Sequence, residues 1–180
     1  MRAKSGETGQ PCTPSLSIRV AHMATLGIST NTRLLGLAII KQGRLEDYRI
    51  HLHKSPWSPT KANHMITTSL EPCVRQYCIK RVFLSMPYEH HQTKAFKLLI
   101  TSTREYFKSK SIPVFAKTPE AFTSLYPPGQ KKVKKVFMQT LTLQYPQLSL
   151  CYYKEMRNKK RYYIKVFEAV AVAALKEQRK

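Results

Sequence analysis

Between residues 24 and 53 the chain reads as three apolar runs cut by two short polar breaks, a pattern few folds accommodate. Thr25, Leu26, Gly27, Ile28 and Ser29 lead into Thr30-Asn31-Thr32-Arg33. The run from Leu35 to Ile40 follows, and after Gln42-Gly43 a third, alternating run ends at Leu52-His53. Apolar runs this short, bounded by turn-forming residues, are strands rather than helices. Connections of a few residues join only antiparallel neighbours. The pattern therefore predicts a three-stranded antiparallel meander. His51 and His53, two apart, share one face of its third strand. Two histidines fall short of a metal site, so they are expected to be an exposed, edge-facing pair.

Ser55-Pro56-Trp57-Ser58-Pro59 breaks the sheet, with Ser58 suited to an N-cap and Pro59 to the first helical position. Ile66, Leu70, Val74 and Tyr77 or Cys78 recur at helical spacing over 59–80, and Pro72 predicts a kink or a break into two pieces. Residues 81–87 read as a short buried strand ended by Pro87, 93–108 as a helix and 112–116 as another strand, which together make a parallel strand–helix–strand unit. A short helix is expected over 119–125. After Pro127-Pro128-Gly129, a helix opening at Lys131 would bury Val133, Phe137 and Leu141, with Val136 as a further candidate, and expose Lys131, Lys132, Lys134 and Lys135. Residues 147–153 suggest a short last strand or an extended link. A final helix over 162–176 carries Ala169, Ala171, Ala173 and Ala174, small enough for close packing against a sheet.

A length of 180 residues suits one domain with a full core. Residues 1–22, rich in Gly, Pro, Ser and Thr, read as a disordered tail or as an upstream extension of a chain that starts at Met23, leaving 23–180 as the domain. A transit peptide fits poorly, since only Arg2, Lys4 and Arg19 are basic there and Glu7 interrupts them. With 31 Lys and Arg against 10 Asp and Glu, the formal charge is +21. The first 22 residues remove three bases and one acid, so most of this charge belongs to the body. Such a field attracts polyanions, and nucleic acid is the expected partner. No apolar run approaches the ~20 residues that span a bilayer, and the start lacks a secretory core, so no membrane partner and a cytoplasmic location are expected. Cys12, Cys73, Cys78 and Cys151 form no CxxC pair and read as reduced packing thiols; a zinc site built on Cys73 and Cys78 rests on spacing alone.

Gly27-Ile28-Ser29-Thr30-Asn31-Thr32-Arg33-Leu34-Leu35-Gly36-Leu37-Ala38 resembles the opening Gly-Ile-Asp-Pro-Gly-Thr-Arg-x-x-Gly-x-Ala pattern of Holliday-junction resolvases of the RuvC and YqgF types. Val82 to Pro87, followed by a helix and Ile112-Pro113-Val114, resembles the central strand–helix–strand of the YqgF-type branch. Lys165-Val166-Phe167-Glu168-Ala169-Val170-Ala171 resembles the group's carboxylate-bearing terminal helix. The resemblance covers residues 23–176. It implies an α/β, RNase H-like fold: a mixed sheet of about five strands, three antiparallel and then parallel, flanked by helices.

The resemblance also implies hydrolysis by two divalent metals, Mg or Mn, held by several converging carboxylates. Here Ser29 stands where the first-strand Asp is expected, and Asp47 is the only Asp in the chain. Glu168 matches the terminal-helix position, Glu89 lies just beyond the fourth strand as a candidate second acid, and Glu46 and Asp47 sit by a turn. One matched acid is not a two-metal site. Glu168 could also cap, face solvent or pair with a lysine such as Lys165.

The favoured reading is a catalytically degenerate module, needing no cofactor, that binds structured DNA or RNA through phosphate contacts. Arg33 in the first turn and two patches would supply them: Lys131, Lys132, Lys134 and Lys135, then Lys154, Arg157, Lys159, Lys160 and Arg161. Tyr152, Tyr153, Tyr162 and Tyr163 flank the second patch and could stack on bases. The alternatives are a metal-dependent endonuclease that recruits Glu89, Asp47 and Glu168, and a protein-interaction scaffold. The resemblance adds a homodimer as an option, with no dimer face marked in the sequence.

Overall fold

Five strands form one mixed sheet in the order β3-β2-β1-β4-β5. They are β1 (Ala24–Thr30), β2 (Leu34–Lys41), β3 (Arg44–Leu52), β4 (Ile79–Ser85) and β5 (Val114–Lys117). The computed structural model describes residues 23–53, 58–158 and 162–175. The 1–22 segment, with Cys12, and Lys159, Lys160 and Arg161 lie outside the described residues. β1, β2 and β3 pair antiparallel, whereas β4 runs parallel to β1 and β5 parallel to β4. This is the expected meander followed by a parallel unit. Gln42 and Gly43 both take positive φ, 52° and 77°, the requirement of a tight hairpin turn whose twist matches the strands. At the β1–β2 turn the Asn31 side chain accepts from the backbone N–H of Arg33 and of Leu34, at 2.8 and 2.7 Å.

Period-2 alternation sends each strand's side chains to two different cores. Leu26, Ile28, Leu37, Ile39, Val82 and Leu84 meet α1 (Pro59–Met65), α2 (Glu71–Tyr77) and α3 (Lys94–Ser109). Ala38, Ile40 and Phe83 meet α4 (Lys134–Gln144), α5 (Ser149–Arg157) and α6 (Ile164–Ala174). A π-helical stretch, Ile66–Leu70, joins α1 to α2 just ahead of Pro72. Pro72 has no N–H and its ring crowds the carbonyl four residues back, so the wider turn there accommodates it.

α6 is the helix that places the site. Apart from Lys165 and Glu168, residues 164–173 are all buried, as befits a helix enclosed between a sheet and other helices. It lies on a strip of β1 and β2 that has almost no side chain. A Cβ at Gly27 would sit 2.0 Å from the Ala169 carbonyl oxygen, and one at Gly36 would sit 2.1 Å from that of Lys165. The two glycines and the alanines of α6 thus bring backbone to backbone.

Four expectations need correction. Residues 147–153 are not a strand or link: Pro146–Leu148 is a 3₁₀ turn leading into α5. Leu148, Cys151 and Glu155 are buried while Leu150, Tyr153 and Met156 stay exposed, a helical spacing that the β-forming composition conceals. α4 begins at Lys134, not Lys131; Val133 is its extended N-cap and 46% exposed, while Phe137 and Leu141 are buried as expected, together with Met138. His51 and His53 are half-buried, because their face of β3 meets a cavity against α1 and the π turn rather than solvent. The final helix is shorter than expected. The buried Glu155 carboxylate accepts from the N–H groups of Tyr162 and Tyr163 at 2.9 and 2.7 Å, just ahead of its first residue.

Candidate nucleic-acid interface

β1 and β4 are parallel neighbours, and the crevice beyond the carboxyl ends of such strands is where open α/β sheets bind their ligands. Ser29 and Ser85 are paired in register there, both buried. α6 holds Glu168 over this end of the sheet. Its Oε2 accepts from the Ser29 hydroxyl at 2.6 Å and from Lys165 Nζ at 2.6 Å, with the Lys165 and Glu168 side chains each 18% exposed. The anticipated Lys165–Glu168 pairing is therefore present, together with the Ser29 contact.

A cleft of about 380 Å³ opens beside this cluster. Ser85, Glu168, Lys165 and Lys134 supply its polar groups, and Met86, Pro119, Phe122, Tyr126, Phe137 and Ile164 its apolar floor and walls, with Tyr88 and His91 from the segment after β4. Burial, and then the Glu168 charge, push the Tyr126 hydroxyl pKa up. A smaller recess lined by Thr30, Asn31, Thr32 and Thr93 shares Pro87, His91 and Lys165 with the cleft, so the groove continues to the β1–β2 turn that carries exposed Arg33.

The acidic residues do not converge. Glu89 is exposed in a 3₁₀ turn (Glu89–His91) and lines none of this cleft. Asp47 lies on β3, where Arg49 pairs with it at 2.7 Å and the Tyr77 hydroxyl donates to it at 3.1 Å; Glu46 is exposed. Hard divalent cations demand several oxygen ligands around one point. The donor set here is one carboxylate, already bonded to an ammonium and a hydroxyl, and two serines, which does not fit a two-metal centre. Among the described residues no three His, Cys, Asp or Glu side chains are grouped to hold a metal, Cys73 being buried and Cys78 exposed.

Lys131, Lys132, Lys134 and Lys135 are exposed around the start of α4, which has no side-chain cap and no acid in its first turn. Lysines at the positive end of a helix are electrostatically unfavourable, so this patch is not explained by helix stability. Lys154 and Arg157 are exposed on α5, with Lys154 Nζ 6.0 Å from the Tyr163 ring centroid. Of the four flanking tyrosines, Tyr153 stands open at 63% exposure, while Tyr152 and Tyr163 pack against the core. Ser85 and Tyr126 are functional candidates that sequence reasoning missed. The register of β4 against β1 would have shown Ser85, whereas Tyr126 reaches the cleft from a loop.

The histidine cavity, about 600 Å³, is lined by His51, His53, His64, Lys61, Thr68 and Ser69 among others. Burial and then Arg49 lower the His51 pKa; burial and then His51 and His64 lower that of His53. The unfolded chain takes up these protons near the ordinary value of about 6.5 and the folded chain only at lower pH. Neutral His51 and His53 therefore favour folding fully above that pH, and their contribution is lost as pH falls through the folded values. The thermal unfolding midpoint is expected to drop from about pH 7.5 to about pH 5.5, with a shallower drop in His51→Gln. Identical slopes for the two chains would assign the acid sensitivity to other groups.

No family model matches the chain, and no curated protein matches it. Solved structures do match its fold. RuvC of T. thermophilus in complex with Holliday junction substrate superposes with a TM-score of 0.64 over 85% of this chain and 91% of that one, at 14% identity. Thermus thermophilus RuvC alone gives 0.63 over 84% and 92%, at 13% identity. The yeast mitochondrial Holliday junction resolvase Ydc2 gives 0.61 over 83% and 75%, at 8% identity. No helix among the described residues is long and apolar enough to cross a membrane. With its three antiparallel strands, parallel extension and terminal helix over the β1–β4 crevice, the chain has the RNase H-like fold of the RuvC-type resolvases.

Proposed function

We propose that this protein is a cytoplasmic, non-catalytic nucleic-acid-binding member of the RuvC-like fold group, which grips structured DNA or RNA by its phosphates. The observation that carries this reading is the Ser29–Glu168–Lys165 cluster. Where a hydrolase of this fold would gather carboxylates, a lysine ammonium neutralises the single acid. Lys134 at the cleft and Lys131, Lys132 and Lys135 beside it then leave the local balance positive. A positive groove without converging acids suits phosphate contact and does not suit metal-assisted cleavage. The similar fold of RuvC in complex with Holliday junction substrate supports a branched ligand over a linear duplex.

The test is binding of the full chain to four-way-junction, duplex and single-stranded nucleic acid across a salt series with Mg²⁺ or Mn²⁺, with the products run on a gel. Affinity is expected to fall steeply with salt while the substrate stays intact. Replacing Lys131, Lys132, Lys134 and Lys135 by Gln should flatten the salt slope by roughly 0.7–0.9 for each phosphate that is no longer neutralised. Cleavage that disappears in Glu168→Gln would establish an endonuclease instead. Absence of binding at low salt would leave the fold as a protein-interaction scaffold.

A further inference from the structure

We propose that the cleft at the ends of β1 and β4 receives an unpaired nucleobase, a reading that rests on the nucleic-acid function proposed above. The cleft is built for a flat apolar group attached to an anion. Phe122, Tyr126 and Phe137 form a continuous aromatic surface, the Phe122 and Tyr126 ring centroids lying 5.6 and 5.8 Å from that of Phe137. Phe122 and Phe137 are buried and form the base of this surface, whereas Tyr126 is half-buried and lines the cleft. Tyr88, 42% exposed, and His91 line the same space, and Tyr88 also stacks on His90 at 5.8 Å between centroids. A site that only positions metals and a phosphodiester has no use for such a lining.

The charged groups fit the same occupant. Lys134 and Lys165 line a cleft whose interior is mostly apolar, so a ring held inside can keep its phosphate near an ammonium. Ser85 and Glu168 offer a hydroxyl and a carboxylate to the polar edge of a base. A volume of about 380 Å³ is at the small end of ligand pockets, which run from roughly 300 to 1,000 Å³. That suits one base and excludes a duplex. A base inside a helix must be unpaired and unstacked before it can enter, so single strands and branch points are favoured over intact duplex.

The test compares two single-stranded oligonucleotides of equal length and phosphate number, one bearing bases and the other abasic throughout. The full chain is expected to prefer the base-bearing strand by about tenfold, the order expected for one stacked base. Tyr126→Leu, which keeps an apolar contact with Phe137, should reduce that preference toward unity and leave the salt slope unchanged. Tyr88→Ala, at an exposed position where folding is not at stake, should reduce it in part. A 5-iodouracil placed in the oligonucleotide should photocrosslink to peptides containing Tyr126 or Tyr88. Equal, salt-sensitive affinity for both strands would overturn the nucleobase site while leaving phosphate binding intact. Failure of both strands to bind at low salt would instead remove the nucleic-acid reading on which this one rests.

Discussion

Gly36→Ala should destabilise the protein by about 3 kcal/mol, at the upper end of what an added methyl group costs in a packed interior. The new Cβ would stand 2.1 Å from the Lys165 carbonyl oxygen and 2.8 Å from the Val166 nitrogen, both backbone atoms of α6. No side chain can rotate away, so the helix must lift from the sheet. Gly27→Ala should behave alike, with the Ala169 oxygen at 2.0 Å and the Ala173 methyl at 2.8 Å. For a chain of this size the cost corresponds to a fall in Tm of roughly 6–12 °C. Gly43→Ala provides the comparison: its φ of +77° strains an alanine, yet nothing lies within 4 Å. Only the left-handed backbone penalty applies there, about 1–2 kcal/mol. Urea unfolding of the three variants would separate steric from conformational cost. Equal losses at Gly36 and Gly43 would mean that α6 is not seated on bare strand backbone. Because Lys165 lies at the point of contact, Gly36→Ala should also disturb the Ser29–Glu168 contact.

That glycine contact also marks the limit of what the sequence discloses. The meander was legible because its first two runs are short and apolar, the third is visibly amphipathic and Gln42-Gly43 announces its turn, all within a few residues of one another. α5 was not, since Tyr152 and Tyr153 favour strands and the helical spacing shows only in which residues from 148 to 156 are buried. Site residues divide in the same way. Lys165 and Glu168 are three apart on one helix, a pairing that local geometry supports. Ser29 could be aligned with a motif, but its contact spans 139 positions and depends on α6 packing. Ser85 depends on the register of a parallel pair, and Tyr126 on where a 3₁₀ segment (Pro119–Leu125) ends, neither of which a local pattern encodes. Glu89 was the natural choice for a second acid by position, yet the chain turns outward after Ser85 and leaves it in solvent.

Glu168→Leu should cost about 2 kcal/mol, because it strands a Lys165 ammonium whose side chain is only 18% exposed. Breaking a fully buried pair costs about 3–5 kcal/mol, and the remaining solvent access here reduces that figure. Lys165→Met should cost less, about 1 kcal/mol, since the carboxylate keeps the Ser29 hydroxyl at 2.6 Å. The double variant Lys165→Met/Glu168→Leu replaces both charges by apolar groups of similar size and should lie within about 1 kcal/mol of the parent chain. Thermal and urea unfolding of the four chains give the coupling between the two residues directly. A large coupling means that the ammonium and the carboxylate hold each other in the folded chain, the carboxylate's charge being already balanced by Lys165; removing that one acidic charge in Glu168→Gln should then leave nucleic acid bound at least as tightly as by the parent. If Glu168→Leu were instead as stable as the parent, the carboxylate would be solvated and free to accept a cation. The Ser29–Glu168–Lys165 cluster would then no longer argue against hydrolysis, and the cleavage assay with Mn²⁺ would become the deciding measurement.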